Sequence, residues 1–365
     1  MHDYDDKNYI VPDNPEFASS IHTISFFSGA GGLDIGAQLA GSKVISSLDF
    51  NKHAVNTLQS NPYFNHTEHM HGDISEFDGL NFKQLLEKNN PEKLILIGGP
   101  PCQPFSKAGY WVTHDNRLGS DDPRNMVGNY LRMASELRPN GFLLENVESL
   151  AHPKNKHVID EILESLDKLG YSTIVYKANA IDFGVPQKRK RIFIFASLKE
   201  ITSAPTPTHG NKVDLFEQEL RAYERVIDWI GKFDKDELFE KEEVAVGKTY
   251  YHELTEVPPG KNYIALTAKE GYPNPKFVAN KRFWSFLLKL HPELPSWTIA
   301  AQPGPWVGPF HWNNRRLRVP EIAAIQTFPE NYKFAGSRRE IQRQIGNAVP
   351  PLLGKAMMSH LMEFV

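Results

Sequence analysis

Short apolar runs of β-type residues alternate with segments of helical periodicity over the first two hundred residues of the chain. Consecutive parallel strands need a crossover, usually a helix, so this alternation predicts an α/β fold with a doubly wound, mostly parallel sheet. The predicted strands lie at 22–27, 44–48, 94–97, 141–144, 173–177 and 192–196, and a further strand is expected to end before Asp73. The predicted helices lie at 33–40, 53–60, 82–89, 125–137 and 157–170.

The pattern changes after residue 196. A stretch rich in Pro and Thr (203–212) reads as a linker, and 213–233 has the spacing of a charged amphipathic helix. The Gly-, Pro- and aromatic-rich stretch that follows is typical of an irregular recognition surface, whereas the last twenty residues are again apolar and helical. We therefore predict an N-terminal arm (1–20), a catalytic domain (21–200 plus 340–365) and a small domain between them (201–339).

The composition is that of a globular protein with a full-sized core, since 40% of the 365 residues are hydrophobic. The single cysteine excludes an internal disulfide and argues against a thiolate metal site, which favours a reducing compartment. The polar, acidic start of the chain does not resemble a signal peptide, and no stretch has the length of a membrane span. We expect a cytoplasmic protein that is a monomer and does not bind a membrane.

The net charge of −3 conceals a local excess of positive charge. Residues 281–365 contain eleven Lys or Arg, five Glu and no Asp, and four consecutive bases occupy 188–191. A basic surface is often only a solvated face, but a local patch of this kind is also what binding to a nucleic acid requires.

A glycine turn follows the first predicted strand. Gly29, Gly31 and Gly32 would let a ligand approach backbone amides at a helix N-terminus, and Asp49 at the end of the next strand could accept hydrogen bonds from a ribose diol. The dinucleotide fingerprint requires glycine where this chain has Asp34, so NAD fits poorly and another nucleoside cofactor fits better. Asp73 would be placed to accept from an adenine amino group, or would simply cap a turn.

The only cysteine, Cys102, lies in the sequence GGPPCQPFS directly after a predicted strand. A lone cysteine is usually a small buried hydrophobe, but flanking prolines at the carboxyl edge of a sheet would hold this sulfur in place. Glu145 and Asn146 end another apolar strand at the same edge, where burial would raise the pKa of the carboxyl. Arg189 and Arg191 share one side of a strand and suit bidentate contacts, although a basic edge can also serve only to prevent aggregation.

A histidine-rich stretch offers a possible metal site at His66, His69 and His71. Their spacing matches no standard ligand pattern, and no cysteine assists. We therefore expect no metal.

The ordered blocks FSGAGG, GDI, GGPPCQPFS, ENV, QKRKR, RRLRVPEIAAIQTFP and QIGNAVPP resemble the DNA (cytosine-5) methyltransferases, in particular those of bacterial restriction-modification systems. The resemblance implies S-adenosylmethionine as the methyl donor and a cytosine flipped out of duplex DNA as the acceptor. It implies that the Cys102 thiolate adds to cytosine C6, that Glu145 holds or protonates N3, and that Arg191 binds O2. Asn146 would support the Glu145 loop, and Arg189 would bind the nearby backbone or pocket.

The same resemblance implies further contacts. Cofactor binding would fall to Phe27, Ser28, Gly29, Ala30, Gly31, Gly32, Asp49, Phe50, Asp73, Ile74, Pro100 and Asn347, and DNA contacts to Gln103, Ser106, Arg124 and Arg315. The long loop after Cys102 would close over DNA, and 201–296 would read the target sequence. The chain departs from the family where Asp49 replaces the usual Glu and Arg318 the usual Thr or Ser.

Two alternatives share these motifs. One is a cytosine-5 methylase of transfer RNA, and the other is a catalytically silent protein that binds DNA through the same scaffold. The long middle segment favours DNA over tRNA, and the intact set of Cys102, Glu145 and Arg191 favours an enzyme over a silent binder. A cognate restriction endonuclease acting on the same site would be the expected companion.

Overall fold

The structure, a computed structural model, describes residues 7, 9–17, 19–101, 126–210, 220–241 and 249–365. The strands in this part of the chain are β1 (Ile21–Phe26), β2 (Lys43–Asp49), β3 (Glu68–His71), β4 (Lys93–Gly98), β5 (Gly141–Val147), β6 (Ser172–Asn179), β7 (Gln187–Lys188), β8 (Lys190–Ser197) and β9 (Ser296–Trp297). The helices are α1 (Gly32–Leu39), α2 (Lys52–Gln59), α3 (Lys83–Asn89), α4 (Met126–Leu137), α5 (Lys156–Lys168), α6 (Val226–Ile230), α7 (Tyr251–Glu256), α8 (Val319–Ile325), α9 (Arg338–Asn347) and α10 (Pro351–Met362).

Seven of these strands form one sheet in the order β3-β2-β1-β4-β5-β8-β6. The first five are parallel to their neighbours, and β8 runs antiparallel between β5 and β6. The reversal follows from the connection between β6 and β8, which holds a short 3-10 turn (Ala180–Phe183) and the two-residue strand β7 but no crossover helix. The predicted α/β, mostly parallel sheet is confirmed. Its strand order reverses between β1 and β4, where ligands bind in open α/β folds.

The central strands are apolar on both faces because helices cover both sides of the sheet. In β4, Ile95 and Ile97 belong to one buried cluster, whereas Leu94 and Leu96 belong to another on the opposite face. Side chains alternate across a strand, so a nearly continuous apolar run is the expected sequence of such a doubly covered strand.

The C-terminal helix α10 packs directly on α1. A Cβ added to Gly36 would lie 2.6 Å from the backbone carbon of Gly354, so the two helices meet at backbone distance. Only glycine allows this approach. The contact brings the end of the chain back to the first glycine turn and places α9, which precedes α10, beside the sheet edge.

A third buried cluster lies apart from the sheet. It consists of Leu254, Val257, Tyr263, Leu266, Phe286, Leu287 and Phe310. Much of the surrounding chain is irregular, and the short parallel pair of β7 with β9 links this region to the strand that carries Arg191.

The long helix predicted at 213–233 is wrong in its described part, where only α6 (Val226–Ile230) and the 3-10 turn that follows it (Gly231–Phe233) are helical. The cause is a competing backbone pairing. The Arg221 amide donates to the carbonyl of Thr208, and the Arg221 carbonyl accepts from Gly210 at 2.8 Å. Bonds to a distant segment take the place of helical bonds there.

Residues of the N-terminal arm are held against the loop after α8. The Tyr9 hydroxyl donates to the carbonyl of Thr327 at 2.7 Å, and Val11 exchanges hydrogen bonds with the side chain of Asn331. Across the described ranges, no helix combines the length and the apolar character that crossing a membrane requires.

Candidate active site

A cavity of about 510 Å³ opens at the carboxyl ends of β1, β2, β4 and β5, and its far wall is formed by the end of α9. It brings together most of the predicted site residues, namely Phe27, Ser28, Gly29, Gly32, Asp49, Phe50, Pro100, Glu145, Asn146, Arg191 and Asn347. Its lining also includes polar residues that the sequence did not single out as site residues, namely Ser25, Asp34, Asn51, Arg343 and Gln344. Ala30, Gly31, Asp73, Ile74 and Arg189 are described but do not line it.

The turn between β1 and α1 has a backbone that suits glycine. Gly29 and Gly31 have φ values of 55° and 77° in the left-handed region, and Phe27 also lies there at 55°. Gly32 is needed for a different reason, because an added Cβ would lie 2.1 Å from the carbonyl oxygen of Val349. The Tyr332 hydroxyl donates to the Ala30 carbonyl at 2.7 Å and fixes the turn from behind.

Asp49 binds the turn itself. Its two carboxylate oxygens accept from the backbone amides of Gly29 and Asn51, each at 2.7 Å. Burial raises the pKa of this carboxyl, against the lowering effect of the two amide hydrogen bonds. Asp49, which is shorter than the Glu usual in the family, therefore binds the glycine turn and also lines the cavity.

Asp34 is the main site residue that the sequence analysis failed to select. It is fully buried, and its Oδ1 accepts a hydrogen bond of 2.6 Å from Ser25, whose hydroxyl is in turn 2.9 Å from that of Ser28. Its Oδ2 has no hydrogen-bond partner. Burial raises the pKa of this carboxyl to about 7. The sequence signal was present, since a charged residue inside an apolar glycine turn is unusual, but we used it only to reject NAD.

Asp73 caps a short turn. Its Oδ1 accepts from the backbone amide of Ser75 at 2.9 Å and from the Ser75 hydroxyl at 2.7 Å. Ile74 is buried in the core below. Asp73 therefore caps this turn, and its predicted contact with the adenine amino group stays a prediction.

The loop after β4 is fixed by its contacts with β5. The Asn146 side chain donates to the carbonyl of Pro100 at 3.1 Å and accepts from the Val147 amide at 2.8 Å. A Cβ on Gly99 would lie 2.9 Å from Glu145 Oε2, so glycine lets the loop pass directly over this carboxyl. The described chain stops at Pro101, one residue before Cys102.

Glu145 and Arg191 form a buried ion pair on the cavity wall. Arg191 Nε lies 2.8 Å from Glu145 Oε1, and both side chains are at most 14% exposed. The antiparallel register of β5 with β8 brings the two residues to the same edge. Burial raises the pKa of Glu145, while the nearby charges of Arg191 and Arg189 lower it. The pair therefore presents an acid of raised pKa beside a fixed cation.

Arg189 lies behind the site. Its side chain is fully buried, and Nη2 donates to the carbonyls of Gly346 and Ala348, each at 2.9 Å, and of Asn347 at 3.3 Å. These are carbonyls at the end of α9, where a cation is favoured by the helix dipole. Arg189 thus positions the segment that carries Asn347, in keeping with the backbone contact expected for it.

Cys102, Gln103, Ser106 and Arg124 lie outside the described residues. Arg315 is described, and its guanidinium makes a bidentate contact with Glu321 at 2.7 and 2.8 Å and a further contact with Asp234 at 2.7 Å. Its side chain is 13% exposed. The two carboxylates and the nearby His311 are close enough together to ligate a metal, but the Arg315 guanidinium already contacts both acids.

The fold and this cavity define an α/β enzyme of the methyltransferase class, and comparisons with known proteins place it more closely. Residues 21–363 match the family described as C-5 cytosine-specific DNA methylase. The chain is 36% identical over 372 residues to the Type II methyltransferase M.SacI of Streptomyces achromogenes, with 93% of this chain and 92% of that protein covered. It is 31% identical to the Type II methyltransferase M1.HphI of Haemophilus parahaemolyticus, with 95% and 88% covered.

Solved structures agree on the fold. A putative DNA modification methyltransferase encoded within a prophage of Escherichia coli superposes with a TM-score of 0.67 at 22% identity, covering 94% of this chain and 99% of that one. The methyltransferase EhMeth of Entamoeba histolytica gives a TM-score of 0.62 at 17% identity, covering 94% and 98%. The chain belongs to the C-5 cytosine-specific DNA methylase family.

Proposed function

We propose that this DNA cytosine-5 methyltransferase transfers a methyl group from S-adenosylmethionine to C5 of a cytosine flipped out of a specific duplex sequence, through a covalent bond between Cys102 and C6. The observation that carries the proposal is the Glu145–Arg191 pair, 2.8 Å apart, beside the loop that leads into Cys102. An acid and a cation next to a nucleophile are what addition to a cytosine ring needs.

The cavity fits the cofactor. Its volume of about 510 Å³ lies in the range of small-molecule sites, and the turn at Gly29 brings backbone close to it without side chains in the way. Asp49 is placed to hold the ribose, and the exposed ring of Phe50 to flank the adenine. Bound there, S-adenosylmethionine supplies an electrophilic methyl group. Asn347, on the opposite wall, closes the site.

The residues of the chain act on the cytosine. The Cys102 thiolate forms a bond to C6, and the ring electrons move toward C5 while Glu145 protonates or holds N3. Arg191 binds O2 and stabilises the negative charge that develops on the ring. C5 then takes the methyl group, and S-adenosylhomocysteine is left. Loss of the C5 proton to a base returns electrons to the ring, the proton at N3 returns to Glu145, and the C6–S bond breaks to restore the thiolate. Asn146 and Arg189 are positioning residues, since their contacts are to backbone.

Recognition of the target sequence is assigned to the region between residues 201 and 339, which holds the third buried cluster. The relatives named above are Type II methyltransferases, which supports a role in a restriction-modification system with a cognate endonuclease in the same cytoplasm. In such a pair the methyl group would protect the host sequence from cleavage.

The test is to express the protein and sequence bisulfite-treated DNA from the same cells. We expect 5-methylcytosine at one position of one short sequence. Purified protein should also transfer label from S-adenosylmethionine to duplex DNA and not to tRNA. Transfer to tRNA alone would replace the proposal with the RNA alternative, and duplex binding without any transfer would indicate the silent binder.

A further inference from the structure

A cluster of two tryptophans and a lysine lies where β7 meets β9. Lys188 and Trp297 are paired in the register of these strands, and Lys188 Nζ lies 4.5 Å from the centroid of the Trp297 ring. The ring of Trp284 meets that of Trp297 edge-on, with the centroids 4.4 Å apart. We call Lys188, Trp284 and Trp297 the tryptophan platform.

The platform is not part of the core. Neither tryptophan belongs to any of the three hydrophobic clusters of the described residues. Trp284 is 49% exposed, and the preceding Phe283 is 81% exposed. Large aromatic side chains that meet water in a group, rather than singly, mark a contact surface.

The charge around the platform identifies its partner. The stretch 279–290 contains no acid and has Lys281 and Arg282 exposed, and Lys188 and Lys190 are the accessible bases of the run 188–191. The exposed Arg282 is directly followed in sequence by the exposed rings of Phe283 and Trp284. Cations interleaved with exposed aromatic rings fit a polyanion that also presents flat rings and sugars, which is the chemistry of a nucleic acid.

The platform also lies close to the reacting base. Lys188 precedes Arg191 by three residues, which span at most about 11 Å of chain. Arg191 is in turn paired with Glu145 on the cavity wall. Since duplex DNA rises about 3.4 Å per base pair, 11 Å corresponds to about three base pairs.

We propose that Lys188, Trp284 and Trp297 contact duplex DNA within about three base pairs of the target cytosine. Lys188 faces a phosphate, and the two rings pack against the sugars and base edges of the same groove. This proposal rests on the proposed function only where it places the target cytosine beside Arg191. The contact between the platform and the duplex is measured by binding and needs no methyl transfer.

The experiment compares binding of a fluorescently labelled duplex, cut from a plasmid, by the wild type, Lys188→Gln, Trp284→Ala and Trp284→Phe. Loss of an aromatic contact should raise the Kd of Trp284→Ala roughly tenfold, and Phe should restore much of the affinity. Lys188→Gln should lower the slope of log Kd against log salt by about one. Phe239→Ala is the matched control, since this ring is 59% exposed but lies outside the platform.

Thermal melting of each variant checks that it is folded, and calorimetry with S-adenosylmethionine checks that it retains its cofactor site. Unchanged Kd and salt slope in folded Lys188→Gln and Trp284→Ala would overturn the proposal, even if the wild type methylates DNA. The loss of affinity in these variants would support the surface even if no methyl transfer were detected, and in that case only the proposed function would fail. Footprinting of wild type and variants on the duplex locates the contact. If the protection that depends on the platform lies only at positions more than three base pairs from the target cytosine, the stated position is wrong.

Discussion

Arg191 Nε lies 2.8 Å from Oε1 of Glu145, and the two side chains come from neighbouring antiparallel strands. The pairing is a consequence of topology, because β8 inserts next to β5 with its direction reversed. A strand entry and a strand end therefore meet at one edge. This is how two motifs separated by more than forty residues form a single wall of the cavity.

Glu145→Gln should lower the rate of methyl transfer by roughly a hundredfold or more, because an amide cannot deliver a proton to N3. Burial raises the pKa of Glu145 above 4.5, so the acid stays protonated at higher pH than an ordinary glutamate, and the wild-type rate should fall as pH rises through that raised pKa. The pH–rate profile of single turnovers measures both effects. Glu148→Gln, at an exposed residue that lies 3.8 Å from Lys190, is the control and should behave as wild type. A Glu145→Gln enzyme with full rate would contradict the assignment.

Asp34→Asn should change how stability depends on pH. The pKa of Asp34 in the folded protein, about 7, exceeds the ordinary value of 3.8. Protonated Asp34 therefore contributes to the free energy of unfolding fully below pH 3.8, and this contribution is lost as pH rises through 7. The shift corresponds to about 4 kcal/mol. Urea unfolding of both proteins from pH 4 to pH 8 should show that the free energy of unfolding of the variant rises relative to that of the wild type as pH rises. Asp160→Asn, an exposed partner of Lys156, should show no such trend. Parallel curves for Asp34→Asn and wild type would refute the buried acid.

Gly32→Ala should destabilise the fold by about 3 kcal/mol, because the new methyl group would meet the Val349 carbonyl at 2.1 Å. Affinity for S-adenosylmethionine should fall with it, since the turn must move. Gly231→Ala is a matched control in which the methyl group meets a side chain of Ile227 at an ordinary 3.4 Å. Equal unfolding midpoints for Gly32→Ala and Gly231→Ala would contradict this prediction, because they would mean that the turn between β1 and α1 accommodates the added methyl group.

Arg189→Lys should separate positioning from chemistry. A lysine keeps the charge but cannot reproduce the planar contact with three carbonyls at the end of α9. We expect the KM for S-adenosylmethionine to rise more than kcat falls, because Asn347 shifts while Glu145 and Arg191 stay in place. Steady-state kinetics at varied cofactor concentration give the split. A fall in kcat alone would instead place Arg189 in contact with the reacting base.

Most strands of the large sheet could be predicted from the sequence, because strands that are buried on both faces form short, nearly continuous apolar runs. The predicted bounds of β1, β2, β4, β6 and β8 lie within two residues of those observed, and β5 extends three residues beyond its predicted end at residue 144. The helix at 213–233 could not be excluded in the same way, since its periodicity is real and only the distant backbone of Thr208 and Gly210 competes with it. Local pattern contains no information on such a partner.

The positions of site residues could be predicted where a motif sits at the end or the start of a strand, but not where packing decides, and the roles of these residues stay predictions. Glu145, Arg191 and Asp49 lie at the sheet edge as their positions implied. Arg343 and Gln344 reach the cavity only because α10 packs on α1 and draws the end of α9 with it. Asp73 caps a turn, which is the commoner arrangement for a Gly-Asp pair, and its contact with the cofactor stays a prediction.

The most direct measurement uses duplex DNA in which the target cytosine carries fluorine at C5. Fluorine cannot leave as a proton does, so the Cys102–C6 bond would persist after methyl transfer. With S-adenosylmethionine present, the wild type should form a denaturation-resistant complex whose mass equals protein plus DNA plus one methyl group, and Cys102→Ala should form none. An adduct of equal yield in Cys102→Ala, or methyl transfer by that variant to ordinary DNA, would contradict the account.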